Sequence, residues 1–414
     1  MTGMAAALFA AIEKIDVIQV GITGELGFAS GLLDLLGVYP IESGTVITDP
    51  WQGIKALCQA EPNHPYARLK PDQIKKAWQQ FLTFLDESGY PHVTLSDQNM
   101  TILTPVGTLK TTYAVPHSMV FGYQAMTGKL PCLLIDFEGL KGFSARQVAS
   151  SLSKQWPGLR PYRIPFPGLK GELYGESLAR SFDALNICDQ VVDAIKPHLK
   201  NALAVAFPAI LGVHRTKAVM ARLIKGFELP VFEVPTMPPT VTGLRLREIF
   251  ENRLLNMGIQ SFFQQRITNA HLLNDGCWCF DVEENPIEKQ IIARSVILAS
   301  GRFLGKGLFA DRHGIKETIF NLPVAQPQKR SCWHQKDLFH FSGHPINRAG
   351  VEIDDFFRPL DATYKVVYPN LFAAGSILAH QDWTRQKCGC GLAISTAYEA
   401  VKACKSFLIQ SCER

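Results

Sequence analysis

Asn370-Leu371-Phe372-Ala373-Ala374-Gly375-Ser376, then Cys388-Gly389-Cys390-Gly391, then a helical run from Leu392 to Leu408 make up the stretch whose reading decides the fold. Leu371 to Ala374 reads as a short buried strand stopped by Gly375. Gly389 and Gly391 carry no Cβ, so backbone or ligand can approach them closely. The run that follows sets Ala393, Ala397, Ala400, Val401, Cys404 and Leu408 on one helical face, at spacings of three and four. Strand, glycine corner, glycine pair and helix start together form an anion-receptive site, because unbonded N–H groups and the positive dipole end face the loop.

A partner segment lies upstream. Arg294-Ser295-Val296-Ile297-Leu298-Ala299-Ser300-Gly301 reads as a buried strand running into a turn of small residues. Before it, residues 249–257 look helical and stop at Gly258, a good left-handed cap. Residues 258–262 and 278–282 then read as strands. Either segment alone also fits a generic α/β crossover with a glycine turn. The two together, in this order, favour the two-dinucleotide-fold flavoprotein arrangement.

The start of the chain is unusual for such a fold. Residues 2–12 read as a helix of small and apolar residues, and residues 15–20 as a second strand. A dinucleotide fold begins with a strand and Gly-x-Gly-x-x-Gly turning into this kind of helix. Here Gly3 takes the place of the last glycine, so the chain reads as entering inside that turn, as from a start placed too late. The second strand also ends without the acid that holds an adenosine ribose. Glu25 is the nearest, which points towards a mononucleotide flavin.

The bulk composition excludes several classes. With 47% hydrophobic and 19% charged residues, the 414-residue chain is neither disordered nor membrane-embedded. Its net charge of +5 is spread out, with no dense basic block to mark a nucleic-acid surface. The longest apolar stretch, residues 202–213, holds Pro208 and falls short of the roughly 20 residues a spanning helix needs. No secretory signal is read at the start. Ten cysteines without a regular framework fit reduced thiols in a cytoplasm. Neither Cys277-Trp278-Cys279 nor Cys388-Gly389-Cys390 has a second pair at zinc or iron–sulfur spacing, so no metal site is expected.

Between the two ends lies a second α/β unit without a phosphate-loop signature. Its strands fall at residues 131–137, 203–208 and 230–234, and its helices at 144–156, with Ser144 as N-cap, and 216–226. Residues 74–84 form the clearest helix ahead of it, and residues 104–108 a hairpin turn. A proline-rich connector, residues 236–243, leads to the next helix. Arg245 and Arg247 near that helix start read as solvated arginines, with phosphate contact as the sharper alternative.

The whole chain from Gly3 onward resembles the B-subunit family of the anaerobic glycerol-3-phosphate dehydrogenases. The pieces that carry the resemblance are residues 29–36 (ASGLLDLL), His64-Pro65-Tyr66, Thr104-Pro105-Val106-Gly107-Thr108-Leu109 and Pro235-Thr236-Met237-Pro238-Pro239. Leu298-Ala299-Ser300-Gly301, Gly307-Leu308 and residues 371–376 (LFAAGS) complete the set. The departure is the strand and the glycines that the family places before Gly3.

The resemblance implies an α/β flavoprotein of the two-dinucleotide-binding-fold type. A discontinuous flavin-binding domain (residues 1–45, 243–310 and 362–414) would carry an inserted α/β domain (46–242) and a connecting segment (311–361). It further implies FMN as cofactor, an FAD-bearing catalytic A subunit and a membrane-associated iron–sulfur C subunit as partners. The complex would oxidise glycerol 3-phosphate to dihydroxyacetone phosphate and pass electrons towards quinone, leaving this chain cytoplasmic and peripheral to the inner membrane; a stand-alone flavin oxidoreductase on another small substrate and a flavin-free scaffold subunit are the alternatives. Thr2, Gly3, Ser30, Gly31, Ser300, Gly301, Ala374, Gly375, Ser376, Gly389, Cys390 and Gly391 are the expected cofactor-binding residues. Removing hydride from the carbinol carbon needs a base, a cationic phosphate pocket and a nearby flavin. His380 is the candidate base by position, beside Arg385 and Lys387. A solvated histidine is the alternative, and no catalytic residue is assigned.

Overall fold

The computed structural model describes residues 1–22, 24–283 and 289–412, with the side chains of Glu25 and Cys412 outside that description. Glu25, the acid nearest the end of the second strand, therefore lies outside the described side chains. The chain forms two compact units. The first comprises residues 1–25, 34–81 and 250–414; the second comprises residues 26–33 and 82–249. The sequence boundaries had grouped residues 46–81 with the inserted domain, whereas this division groups them with the termini.

In the first unit the N-terminal helix Thr2–Ile12 buries Met4 to Ala10 without a break. Its run of alanines lets it lie close to the C-terminal helix Gly389–Cys412, whose Ala393, Ala397 and Ala400 are equally buried. Phe9 meets Tyr398 edge to face across that seam, ring centroids 5.1 Å apart. The strand Ile18–Gly21 pairs in parallel with Gln260–Phe263, and Val296–Leu298 pairs in parallel with Leu371–Ala373. No described strand joins the two pairs. The C-terminal helix starts at Gly389, three residues before the expected start, so both glycines and Cys390 lie in its first turn.

An antiparallel sheet of Ile267–Leu272, Trp278–Val282 and Lys289–Ala293 covers part of this unit. Only its central strand is legible as a buried strand. The outer two carry polar residues on their exposed faces. Trp278 anchors the sheet: its Nε1 donates to Asn370 Oδ1 (3.2 Å), and the Asn370 amide donates to the Gly276 and Arg294 carbonyls. One buried asparagine thereby sets where strand Leu371–Ala373 begins.

The second unit is built on a four-stranded parallel sheet in the order Leu159–Ile164, Cys132–Phe137, Ala204–Pro208, Val231–Val234. Three of these strands are buried at every position, as expected of a parallel sheet covered on both faces. The fourth, Leu159–Ile164, alternates and contains Pro161, which hid it in the sequence; such a strand is tolerated at an edge. Ser144 caps the helix Ala145–Ser151 as anticipated, and Met100–Leu103 and Leu109–Thr112 form the expected hairpin.

Arg245 departs from both sequence readings. It is 1% exposed and forms a two-pronged ion pair with Glu233 at 2.7 and 2.8 Å. Its Nε donates to the Gly212 carbonyl. It faces neither solvent nor phosphate. No helix among the described residues is long and apolar enough to cross a membrane.

Candidate functional site

The parallel pairing of Val296–Leu298 with Leu371–Ala373 settles which small-residue corners meet. Leu298 stands opposite Ala373, and the Ala374 N–H donates to the Leu298 carbonyl at 3.0 Å. Both strands therefore end together, at Ala299-Ser300-Gly301 and at Ala374-Gly375-Ser376. Gly301 (φ +72°) and Gly375 (φ +79°) occupy the left-handed region, which turns the chain sharply off each strand.

The N-terminal helix abuts the same corner. A Cβ on Gly375 would collide with Thr2 Oγ1 and stand 2.7 Å from Thr2 Cγ2. The Gly375 N–H donates to Thr396 Oγ1 (2.8 Å), which itself bonds back to the Leu392 carbonyl within the C-terminal helix. A Cβ on Gly3 would lie 3.6 Å from Gln19 Nε2 and 3.9 Å from Ala299 Cβ. Thr2, Gly3, Ser300, Gly301, Ala374, Gly375 and Ser376 are thus gathered around one corner of the first unit.

Ser30 and Gly31 belong to the second unit. There Gly31 turns the chain at φ +81°, its carbonyl bonds His92 Nε2 (2.9 Å), and a Cβ would press on Thr242 and Pro116. The Ser30 hydroxyl accepts from the Leu32 N–H within the same turn.

Gly389 and Gly391 serve packing in the first unit. A Cβ on Gly389 would stand 2.9 Å from the Trp383 ring, and one on Gly391 would overlap Tyr66 Oη and the Leu35 backbone. The Gly391 N–H, expected to point unbonded into the loop, donates to the Asp34 carbonyl at 2.7 Å. Tyr66 Oη donates to the Leu35 carbonyl, and His64 accepts from the Tyr66 N–H through Nδ1 while its Nε2 bonds Gln386 Oε1. This gives His64-Pro65-Tyr66 a role: it braces the segment 34–36 against the start of the last helix. Burial pushes the His64 pKa down to about 3, so the ring is neutral and donates through Nε2.

Sequence reasoning missed Arg302, one residue past the first corner. Its guanidinium donates to the carbonyls of Ser376 (2.7 Å), Leu378 (3.2 Å) and Gln381 (2.9 Å), and to that of Asn347. Burial pushes its pKa down to about 10 against the pull of Asp382. One half-buried cation thereby ties the first corner to the whole loop that leaves the second. An arginine directly after a glycine turn was the available signal.

Three buried polar atoms around this corner have no partner among the described residues: Ser300 Oγ at the first turn, Gln19 Oε1 beside Gly3, and Oε1 of Gln381, whose amide nitrogen donates to the Gly375 carbonyl. Buried polar groups are nearly always hydrogen-bonded, so orphans at a glycine corner mark where a ligand's polar edge fits. A flavin ring, with donors and acceptors along one edge and apolar faces, suits such a lining. Among the described residues no cluster of His, Cys, Asp and Glu could hold a metal ion.

Paired parallel strands ending in glycine corners, closed by two alanine-rich helices, define a flavin-binding protein, and the profile of the FAD binding domain family matches residues 1–392. The B subunit of the anaerobic glycerol-3-phosphate dehydrogenase of Vibrio cholerae is 28% identical, over 97% of this chain and 94% of its own length. The probable counterpart in Halobacterium salinarum is 31% identical, over 97% and 94%. The chain belongs to the B-subunit family of the anaerobic glycerol-3-phosphate dehydrogenases. Among solved structures it is similar to a 3-ketosteroid delta1-dehydrogenase from Sterolibacterium denitrificans, with a TM-score of 0.40, 9% identity and 98% of each chain covered, too distant to bear on function.

Proposed function

We propose that this chain is the flavin-bearing subunit of a respiratory glycerol-3-phosphate dehydrogenase complex. The complex oxidises glycerol 3-phosphate to dihydroxyacetone phosphate and passes the electrons towards quinone. Its partners are an FAD-bearing catalytic A subunit and a membrane-associated iron–sulfur C subunit, through which the chain sits at the cytoplasmic face of the inner membrane. The observation that carries this reading is the corner formed by Ala299–Gly301 and Ala374–Ser376, in a chain whose family is a dehydrogenase subunit.

FMN is the proposed cofactor. When bound, a flavin accepts hydride from a carbinol carbon and returns electrons singly or in pairs. Thr2, Gly3, Ser300, Gly301, Ala374, Gly375 and Ser376 would hold it, with Ser300 Oγ and Gln19 Oε1 as unspent hydrogen-bonding groups. The first turn of the C-terminal helix, Gly389-Cys390-Gly391, would lend its positive dipole end to the charge of the reduced cofactor.

A flavin-free scaffold is the second reading, favoured by the Gly391 N–H being bonded to Asp34 rather than directed at a ligand. The deciding experiment purifies the complex, heats it and chromatographs the released cofactor from each separated subunit. FMN from this chain, with glycerol 3-phosphate-dependent reduction of a quinone analogue by the complex, supports the proposal. A colourless subunit in an active complex supports the scaffold. Release of FAD alone corrects the cofactor.

A further inference from the structure

Resting on the functional reading above, we propose that Gln381 recognises the flavin ring: its side-chain oxygen, fixed as an acceptor beside the Gly375 corner, takes the N3–H of the isoalloxazine. The contact binds and orients the cofactor, and leaves substrate oxidation to the partner subunit.

The loop leaving Gly375 turns back on its own start. From Gly375 to Asp382 only Ser376 and His380 are not buried, and His380 turns the chain in the left-handed region at φ +62°. Gln381, with no exposed surface, follows that turn. Arg302 donates to its backbone carbonyl at 2.9 Å and to that of Ser376 at 2.7 Å, so one guanidinium pins both ends of the loop. The Gln381 side chain closes the loop from inside. Its Nε2 donates to the carbonyls of Gly375 (3.3 Å) and Leu378 (3.0 Å).

Those two bonds decide what the other end of the amide can do. A carboxamide has two hydrogens on nitrogen and only lone pairs on oxygen. Both hydrogens are spent, and the reversed amide would set its oxygen against two carbonyl oxygens. Oε1 is therefore locked as an acceptor, and it is buried without a partner among the described residues. It shares one planar amide with the nitrogen on Gly375, so it stands at the corner itself. Leaving such an atom unmet carries its full desolvation penalty, which a ligand's donor would recover. The other two orphans are less committed. The Ser300 hydroxyl can rotate to donate or accept, and the Gln19 amide can turn, because its nitrogen rests on Met4 Sδ (3.3 Å), a weak acceptor.

An oxidised isoalloxazine carries a single ring N–H, at N3, flanked by carbonyls that accept. A ribityl hydroxyl donates too, but it accepts equally well and has no need of a fixed acceptor. The N3–H can only donate, so an acceptor-only oxygen sorts it from the rest of the ligand. The ring is common to FMN and FAD, and the contact does not depend on which of the two is bound.

Flavin binding to the assembled complex, stripped of the flavin on this chain, tests the contact. The probes are FMN and 3-deaza-FMN, an analogue of the same shape with C–H in place of N3–H; FAD and 3-deaza-FAD replace them if FAD is the flavin released. The parent should bind FMN about 10–100-fold more tightly than the analogue, which leaves Oε1 unmet. Gln381→Met should weaken FMN and cut that preference to within about twofold. Gln381→Glu makes the acceptor titratable. Its preference for FMN should grow about tenfold as pH rises through the carboxyl pKa, because a carboxylate accepts more strongly than an amide, while the parent's preference stays level. A ratio taken within each protein cancels any general loosening of the loop. If the parent binds both probes within about twofold, or if both variants keep the parental preference at every pH, the inference is overturned and the functional reading stands. Should Q381M lose flavin altogether, the pH response of Q381E decides. A complex that holds no flavin on this chain would overturn the functional reading, and this inference with it.

Discussion

Replacing Arg245 by Met is the most direct test of how the second unit is held together. Arg245 and Glu233 are 1% and 0% exposed at their side chains. The guanidinium gives two bonds to the carboxylate and one to the Gly212 carbonyl, and lies 5.6 Å from the centre of the Tyr90 ring. The carboxylate also accepts from Ser118 Oγ (2.7 Å) and the Leu211 N–H (2.8 Å). R245M leaves a buried carboxylate with only those two neutral donors. Removing one partner of a buried pair costs about 3–5 kcal/mol, since the other charge stays desolvated. For a unit of this size that lowers Tm by roughly 6–20 °C. Replacing both, Arg245→Met with Glu233→Leu, removes the stranded charge and should recover most of the loss.

The assay is chemical and thermal denaturation of the parent, both single variants and the double variant, read as a double-mutant cycle. Burial raises the Glu233 pKa, but the charge and hydrogen bonds of Arg245 outweigh it and hold the carboxyl below its ordinary value of 4.5. The pair's contribution is therefore complete above about pH 4.5 and is lost as pH falls through the depressed folded-state value. R245M should abolish that acid-side dependence. If R245M unfolds at the parental temperature yet weakens phosphate-ligand binding, Arg245 is a ligand group and the reasoning fails.

Three further outcomes follow from the first unit. Gly375→Ala combines a left-handed backbone with overlap on Thr2, so flavin retained through gel filtration should drop at least about tenfold, whereas Ser376→Ala should retain parental flavin. Gly391→Ala would ordinarily stabilise a helix by up to about 1 kcal/mol, but overlap with Tyr66 and the Leu35 backbone should reverse the sign to a loss of about 1–3 kcal/mol in urea unfolding. His64 stays neutral in the fold down to about pH 3, while the unfolded chain takes up the proton near pH 6.5. Stability should therefore fall by about 1.4 kcal/mol per pH unit for this one group as pH drops below 6.5, and His64→Gln should flatten that slope.

By itself the sequence determined what period and small residues determine. Buried strands at residues 132–137, 204–208 and 371–373 announce themselves as apolar runs, Ser144 caps its helix, and Gly258 ends one at φ +82°. These are local features, fixed by neighbours a few positions away. The two corners at Ser300-Gly301 and Gly375-Ser376 were equally visible as strand-then-glycine patterns. That they adjoin depends on the register Leu298 opposite Ala373, set by pairing across some 75 residues of chain.

The tertiary structure alone decided the fate of the polar groups. Arg245 looks in sequence like any surface arginine; its burial follows from Glu233, Gly212 and Tyr90 arriving from other segments. His380 has no partner in its own stretch and acquires one from Glu352. Gly389 and Gly391 resemble a ligand cradle until Trp383, Tyr66 and Leu35 fill the space where a Cβ would go. Apart from Trp383, six residues before Gly389, the deciding neighbours come from other segments of the chain, and the energy of a buried polar or missing side chain is set by what surrounds it in space.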